Sequence, residues 1–152
     1  MSGPLDLKDA ITTVHKKFPD VSHIDTAEVR ALLDGKPTGE VQIVDVREPE
    51  EFAVSHIPGA INIPLETPDE ALLAAVPSDR TVVVYCSIGH RSAIVAQRLK
   101  AAGRSNVANY IGSIFAWANS ELPLQASGGT VTKVHPYDNH WGRYLKPEHR
   151  AF

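Results

Sequence analysis

The hydrophobic and polar positions of this chain switch between two periods, and the order of the switches predicts its elements. Thr81 to Tyr85 is a nearly unbroken β-branched run, the pattern of a central parallel strand covered on both faces. Val41 to Val46 repeats it, and Val21 to Ile24, Ala60 to Ile63 and Val107 to Tyr110 predict three shorter strands. Between them the spacing is helical. Asp25 or Thr26 opens a helix through Leu33, closed by Gly35 and followed by a turn at Lys36-Pro37-Thr38-Gly39. A short helix carries Glu51 and Phe52, the latter assigned to the core. Pro68 to Val76 starts with proline and two acidic residues and then buries Ala71, Leu72, Leu73 and Val76. Ser92 to Ala102 repeats apolar residues at Ile94, Val95, Leu99 and Ala102, with Ser92 as the N-cap and Gly103 as the stop. Ahead of all this, Leu5, Leu7, Ile11, Val14 and Phe18 predict an extra helix that ends before Pro19 and packs on the domain. Strands alternating with helices predict an α/β fold: a mainly parallel central sheet, helices on both faces, and a site at the strands' carboxyl ends.

Candidate chemistry falls at that edge. The predicted central strand runs into Cys86-Ser87-Ile88-Gly89-His90-Arg91-Ser92 and then a helix. A loop closing from a strand into a helix start turns backbone N–H groups inward, and the helix dipole adds positive charge there. A cysteine at such a mouth, beside a guanidinium, is expected to be at least partly thiolate at neutral pH, the reactive form. The competing reading is an ordinary buried core cysteine. Gly89, His90 and Arg91 are poor core formers and favour the reactive one.

That loop, together with Ile43-Val44-Asp45-Val46-Arg47-Glu48-Pro49-Glu50-Glu51-Phe52 and His56-Ile57-Pro58-Gly59-Ala60-Ile61-Asn62-Ile63-Pro64, resembles a single-domain rhodanese from about Asp20 to Leu124. The resemblance implies the rhodanese-like three-layer fold. It also implies a sulfurtransferase in which Cys86 takes a sulfane sulfur as a persulfide. A small anionic donor such as thiosulfate would supply it, and cyanide, a thiol or a protein would accept it. It further implies that Ser87, Ile88, Gly89, His90, Arg91 and Ser92 bind the donor, His90 facing solvent. Asp45 and Arg47 then order the active loop by hydrogen bonds, and His56 fixes a turn. By spacing, Arg47 could pair with Glu48 or Glu51. Two positions depart from the family's pattern: Ser55 stands where glycine is frequent, and Ser113 replaces one of a Gly-Gly pair, which is expected to narrow the approach to the pocket. Arg91 suits an inorganic anion better than mercaptopyruvate. The alternatives are a sulfur-carrier or interaction module serving a protein partner and, less favoured, a phosphatase or arsenate reductase. The last would need a longer loop than the four residues between Cys86 and Arg91.

Composition narrows this further. The 152 residues, 43% hydrophobic and 22% charged, suit one globular domain. A net charge of -3 argues against nucleic acid. The first residues lack a basic segment leading into an apolar run, and no stretch reaches membrane-spanning length, so the expectation is a cytoplasmic protein with no membrane partner. One cysteine excludes an internal disulfide or a Cys-x-x-Cys pair, so any sulfur on Cys86 must leave to an external acceptor. No metal or other cofactor is expected. The chain divides into an N-terminal helical extension (1-19), the rhodanese-like domain (20-125) and an aromatic and histidine-rich arm (126-152), joined through a flexible-looking Gln125-Ala126-Ser127-Gly128-Gly129-Thr130. Three roles for the arm compete. It packs its aromatics on the domain; it reaches the mouth of the site with His135, His140 or Arg143, or mediates a dimer; or it builds a metal site from His135, Asp138 and His140.

Overall fold

A computed structural model describes residues 6-34 and 40-152. Leu5, the Gly35 stop and the turn at 36-39 lie outside the described residues. Within them the main sheet is built from β1 (His23–Ile24), β2 (Val41–Asp45), β3 (Ile61–Asn62), β4 (Thr81–Tyr85) and β5 (Val107–Tyr110). The order is β1-β5-β4-β2-β3 and every pairing is parallel. β4 is the middle strand. Its residues alternate between two cores: Val82 and Val84 face one, Val83 and Tyr85 the other, and all four are fully buried. An apolar side chain taken wholly from water contributes about 1.5–3 kcal/mol, so this run has no competing solvent-facing register.

On the first face lie α1 (Leu7–Lys17), α4 (Asp69–Ala75) and α5 (His90–Ala101), through Val14, Phe18, Leu72, Val95 and Leu99. On the second lie α2 (Thr26–Asp34) and α6 (Ser113–Asn119), through Val29, Ile114, Phe115 and Trp117. The α1 helix is capped by Asp6, whose carboxylate accepts from the Lys8 amide at 2.9 Å. α3 (Pro49–Val54) follows β2 and opens with Pro49 at its first position, while Glu51 reaches back to accept from the Glu48 amide at 3.0 Å.

Three readings of the sequence need correction. α5 begins at His90, with Gly89 as its N-cap, three residues ahead of the Ser92 cap expected from the sequence. Ser92 is fully buried instead, because its hydroxyl turns toward the Cys86 sulfur. Phe52 is only half-buried; it stacks on His56 with ring centroids 3.9 Å apart rather than entering the core. The stretch at 125-130 is not a flexible join. Leu124–Ala126 (β6) and Gly129–Val131 (β7) form an antiparallel hairpin, and Gln125 also bridges to His56. Beyond the hairpin the arm turns back onto the second face, burying Val134 and Leu145.

Candidate active site

Cys86 follows directly from β4 and is the floor of a cavity of about 390 Å³ at the carboxyl edge of the sheet. The loop after it is held by its carbonyls. Those of Cys86, Ser87 and Ile88 accept from the amides of Ile114, Phe115 and Gly112 at 3.2, 3.0 and 2.6 Å. The Gly89 carbonyl accepts from the Asn109 side-chain amide at 3.1 Å. With the carbonyls drawn to that side, the chain curls over the sulfur, and the Gly89 amide donates to Sγ at 3.2 Å. The curl needs φ +135° at Gly89, a backbone that a residue with a Cβ resists. The Ser92 hydroxyl lies 3.5 Å from the same sulfur, and the start of α5 adds the positive end of a 12-residue helix. Negative charge on Sγ therefore meets oriented donors.

Beneath the loop, Ser113 does not narrow the approach to the cavity. It is fully buried, accepts from the Cys86 amide at 3.1 Å and donates to the Tyr110 carbonyl at 2.7 Å. Its φ is +52°, a left-handed conformation that this pair of hydrogen bonds holds in place.

Arg91 sits in the first turn of α5. Its guanidinium donates to both carboxylate oxygens of Glu51 at 2.9 and 3.1 Å and to the Ser87 hydroxyl at 2.9 Å. The Tyr137 ring covers its face, 4.9 Å from ring centre to the guanidinium carbon. Burial works against both charges of the Arg91–Glu51 pair. The mutual hydrogen bonds and charge outweigh it, holding the Glu51 carboxyl below the usual range and the arginine firmly protonated.

Asp45 and Arg47 do pair, but with each other. The salt bridge is 2.7 Å long and wholly buried, and Arg47 also donates to the Ser55 carbonyl at 2.7 Å. Burial disfavours the Arg47 charge, and Asp45 more than restores it. Among the described residues no hydrogen bond runs from either side chain to residues 86-92. The pair anchors the turn at 55-57 to the end of β2, and the neighbouring Tyr85 hydroxyl accepts from the Ile57 amide at 3.0 Å. Glu51 is what reaches the active loop, so the expected partner of Arg47 belongs to Arg91. The Glu48-x-x-Glu51 spacing at a helix start marks Glu51 as a capping residue. Its second partner lies 40 residues on and has no local signal.

His90 is exposed, as expected. Its Nε2 accepts from Lys17 at 2.9 Å and its ring meets the edge of Phe18. Burial, then the charges of Lys17 and Arg91, hold it below the usual histidine value and favour the neutral ring. His56 donates from Nδ1 to the Phe52 carbonyl at 3.0 Å and stays in its turn.

The arm reaches the cavity, with different residues from those expected. Tyr137, Trp141 and Tyr144 line it, whereas His140 and Arg143 face another cleft. Nor do His135, Asp138 and His140 converge on a cation. Each is used locally: His135 Nδ1 accepts from the Tyr137 amide, Asp138 from the Trp141 amide, and His140 Nδ1 lies 2.6 Å from Arg143. Among the described residues, the group of ligand-type side chains close enough to share an ion is Glu121, Glu148 and His149, away from the sulfur.

With this geometry in view, the comparisons are consistent with one another. A family profile described as a rhodanese-like domain matches residues 25-120. A sulfurtransferase of Allochromatium vinosum is 36% identical over 109 residues, which is 72% of this chain and 99% of that protein. The probable adenylyltransferase/sulfurtransferase MoeZ of Mycobacterium tuberculosis is 39% identical over 100 residues, 64% of this chain but only 26% of MoeZ. The crystal structure of thiosulfate sulfurtransferase from Pseudomonas aeruginosa superposes with a TM-score of 0.63 at 29% identity, covering 79% of this chain and 23% of that one.

Proposed function

This chain belongs to the rhodanese-like domain family, and on that premise we propose that it carries a sulfane sulfur from an anionic donor, thiosulfate being the simplest, through a Cys86 persulfide to a thiophilic acceptor. One observation carries the reading: the only cysteine lies at the floor of a cavity with its sulfur facing the Gly89 amide, the Ser92 hydroxyl and the start of α5. The Cys86 thiolate attacks the outer sulfur of the donor; the new S–S bond forms as the donor's own S–S bond breaks, and sulfite departs with the electron pair. The Gly89 amide and Ser92 hydroxyl that face Sγ in the resting state then face the persulfide, so the loop stabilises charge before and after transfer. Ser87, Ile88 and His90 border the donor, Gly89 and Ser92 hold the sulfur, and Arg91, fixed by Glu51, holds Ser87. Asp45 and Arg47 support the site from outside it.

A thiol or cyanide then attacks the outer sulfur of the persulfide and restores the thiolate. With one cysteine there is no internal thiol to take it. The similarity to MoeZ favours a second reading of this half-reaction, in which a protein partner is the acceptor. A single unpaired thiol suits the reducing cytoplasm. A phosphatase is disfavoured by the four-residue spacing and by Glu51, which offsets the cation an oxyanion ester would need.

Intact mass is the direct test. Thiosulfate is expected to add about 32 Da, one sulfur, that cyanide removes and Cys86→Ser never shows. Readily alkylated Cys86 with no mass gain would overturn the thiosulfate reading.

A further inference from the structure

The Gly89 residue that faces the sulfur is held from behind by a chain of polar contacts that ends at a histidine. Asn109, on β5, is fully buried. Its side-chain nitrogen donates to the Gly89 carbonyl at 3.1 Å and to Nδ1 of His23, its register partner on β1, at 3.2 Å. His23 in turn donates from Nε2 to the Phe18 carbonyl at 2.8 Å. Phe18 closes α1, the helix whose Ala10, Thr13 and Val14 line one side of the Cys86 cavity. A carbonyl oxygen only accepts, so Nε2 carries the proton and Nδ1 of the neutral ring carries a lone pair. Asn109 therefore meets two acceptors, and only its NH₂ group satisfies both.

The other end of the same amide is unsatisfied: Asn109 Oδ1 is buried with no hydrogen-bond partner among the described residues. The folded protein keeps that penalty because turning the amide over would set Oδ1 against both the Gly89 carbonyl and the His23 lone pair. A proton on His23 reverses the balance. Nδ1–H then meets the Asn109 NH₂ group donor to donor, and rotating the amide gives His23 an acceptor only by turning an oxygen toward the Gly89 carbonyl. Both routes loosen the Gly89 carbonyl from Asn109 and leave it the Ala93 amide, 3.1 Å away. Gly89 has no side chain to hold it at φ +135°, so its own amide is free to move off Sγ, now 3.2 Å distant.

We propose, on the premise that Cys86 acts as a thiolate nucleophile, that Asn109 and His23 are positioning residues for its sulfur. The neutral His23 ring locks the Asn109 amide, the amide locks the Gly89 carbonyl, and the Gly89 amide stays on Sγ. A proton on His23 thereby lowers the reactivity of a cysteine that it does not touch. The titratable and charged groups that face His23 are His15 of α1, with ring centroids 4.6 Å apart, and Asp20 of the turn that follows α1. From α5, Gln97 and Lys100 reach this corner by donating to Asp20, and β5 presents the uncharged Asn109. Burial is the main reason that the His23 pKa lies below the ordinary histidine value; the Phe18 carbonyl opposes it, His15 adds to it and Asp20 opposes it. The network is therefore closed at neutral pH and opens in acid.

The rate of Cys86 alkylation by iodoacetamide, followed against pH in the full chain, tests this, and with one cysteine the signal belongs to that sulfur alone. Below the ordinary histidine value, about 6.5, the wild-type rate is expected to fall more steeply than one proton allows, losing about tenfold beyond the one-proton line. His23→Asn keeps an uncharged acceptor near the place of Nδ1 and removes the titration, so its profile is expected to follow one proton. Asn109→Leu is close in volume and cuts the link while His23 still titrates: its profile is also expected to follow one proton, at a rate about tenfold below wild type in alkali. A purely structural role would lower the rate at every pH and keep the wild-type slope. His90→Asn is expected to retain the steep slope, which separates His23 from the histidine beside the cavity. A steep slope kept by His23→Asn or by Asn109→Leu, or lost in His90→Asn, overturns the proposal. No sulfur donor enters this readout, so absence of the thiosulfate adduct by intact mass bears on the sulfurtransferase reading alone.

Discussion

Glu51 shows how much one carboxylate can decide. It is 2% exposed, ties α3 to the first turn of α5, and balances the cation nearest the sulfur. Glu51→Gln leaves Arg91 half-paired in a partly buried setting and is expected to cost about 2–3 kcal/mol of stability by urea unfolding. The pH dependence follows from the depressed carboxyl. A group whose folded pKa lies below its unfolded value contributes fully above the unfolded value, about 4.3 for glutamate, and loses that contribution as pH falls from there through the folded value. Wild type should accordingly lose stability more steeply than Glu51→Gln below about pH 4.3, and parallel acid unfolding curves would show the pair to be idle. Neither Glu51's partner nor the burial of Asp45 and Arg47 was legible in the sequence. Charges near one another along the chain suggest short-range pairs, and here the bidentate partner came from another element.

At the scale of elements, the loop owes its shape to α6 as much as to its own residues. Gly112 stands at the start of α6 with φ +94°, and a Cβ there would meet the Ala116 Cβ at 2.8 Å. Its amide also donates to the Ile88 carbonyl of the active loop at 2.6 Å. Gly112→Ala should therefore destabilise the protein by about 2–4 kcal/mol in thermal or urea unfolding and lower the rate at which thiosulfate adds one sulfur to Cys86 by intact mass. Stability within 0.5 kcal/mol, a change of roughly the size of an ordinary surface substitution, would show that α6 does not set the loop. The strands and helices themselves were readable: β4 and β5 fall on the residues their patterns predict, because a doubly covered strand has no polar face to blur its limits. The start of α5 was not readable, since Ser92 is a good N-cap by type but the positive φ of Gly89 ends the loop earlier.

For the molecule as a whole, the arm is tied back to the domain through His149. Val134 and His149 lie side by side, the Val134 amide donating to the His149 carbonyl at 2.7 Å, and His149 Nε2 lies 2.6 Å from Glu121 at the end of α6. Burial opposes the His149 charge, but the Thr132 carbonyl and Glu121 outweigh it and raise its pKa. The sign is the reverse of the Glu51 case: this contribution is complete below the unfolded value, about 6.5, and is lost as pH rises through the higher folded value. Amide protection in the arm, corrected for intrinsic exchange, should fall as pH rises above about 6.5, and Glu121→Gln should flatten that fall. No helix of the described residues is long and apolar enough to cross a membrane.

The sequence by itself determined the sheet, the place of its carboxyl edge and the cysteine that stands there, because those follow from local periodicity and from a contiguous strand, loop and helix. Tertiary structure alone decided that Glu51 rather than Arg47 completes the Arg91 site, that Ser113 lies beneath the loop instead of at its mouth, and that α1 and the aromatic arm wall the cavity. Each of these joins residues dozens of positions apart, and such contacts are fixed by packing, which no local pattern encodes.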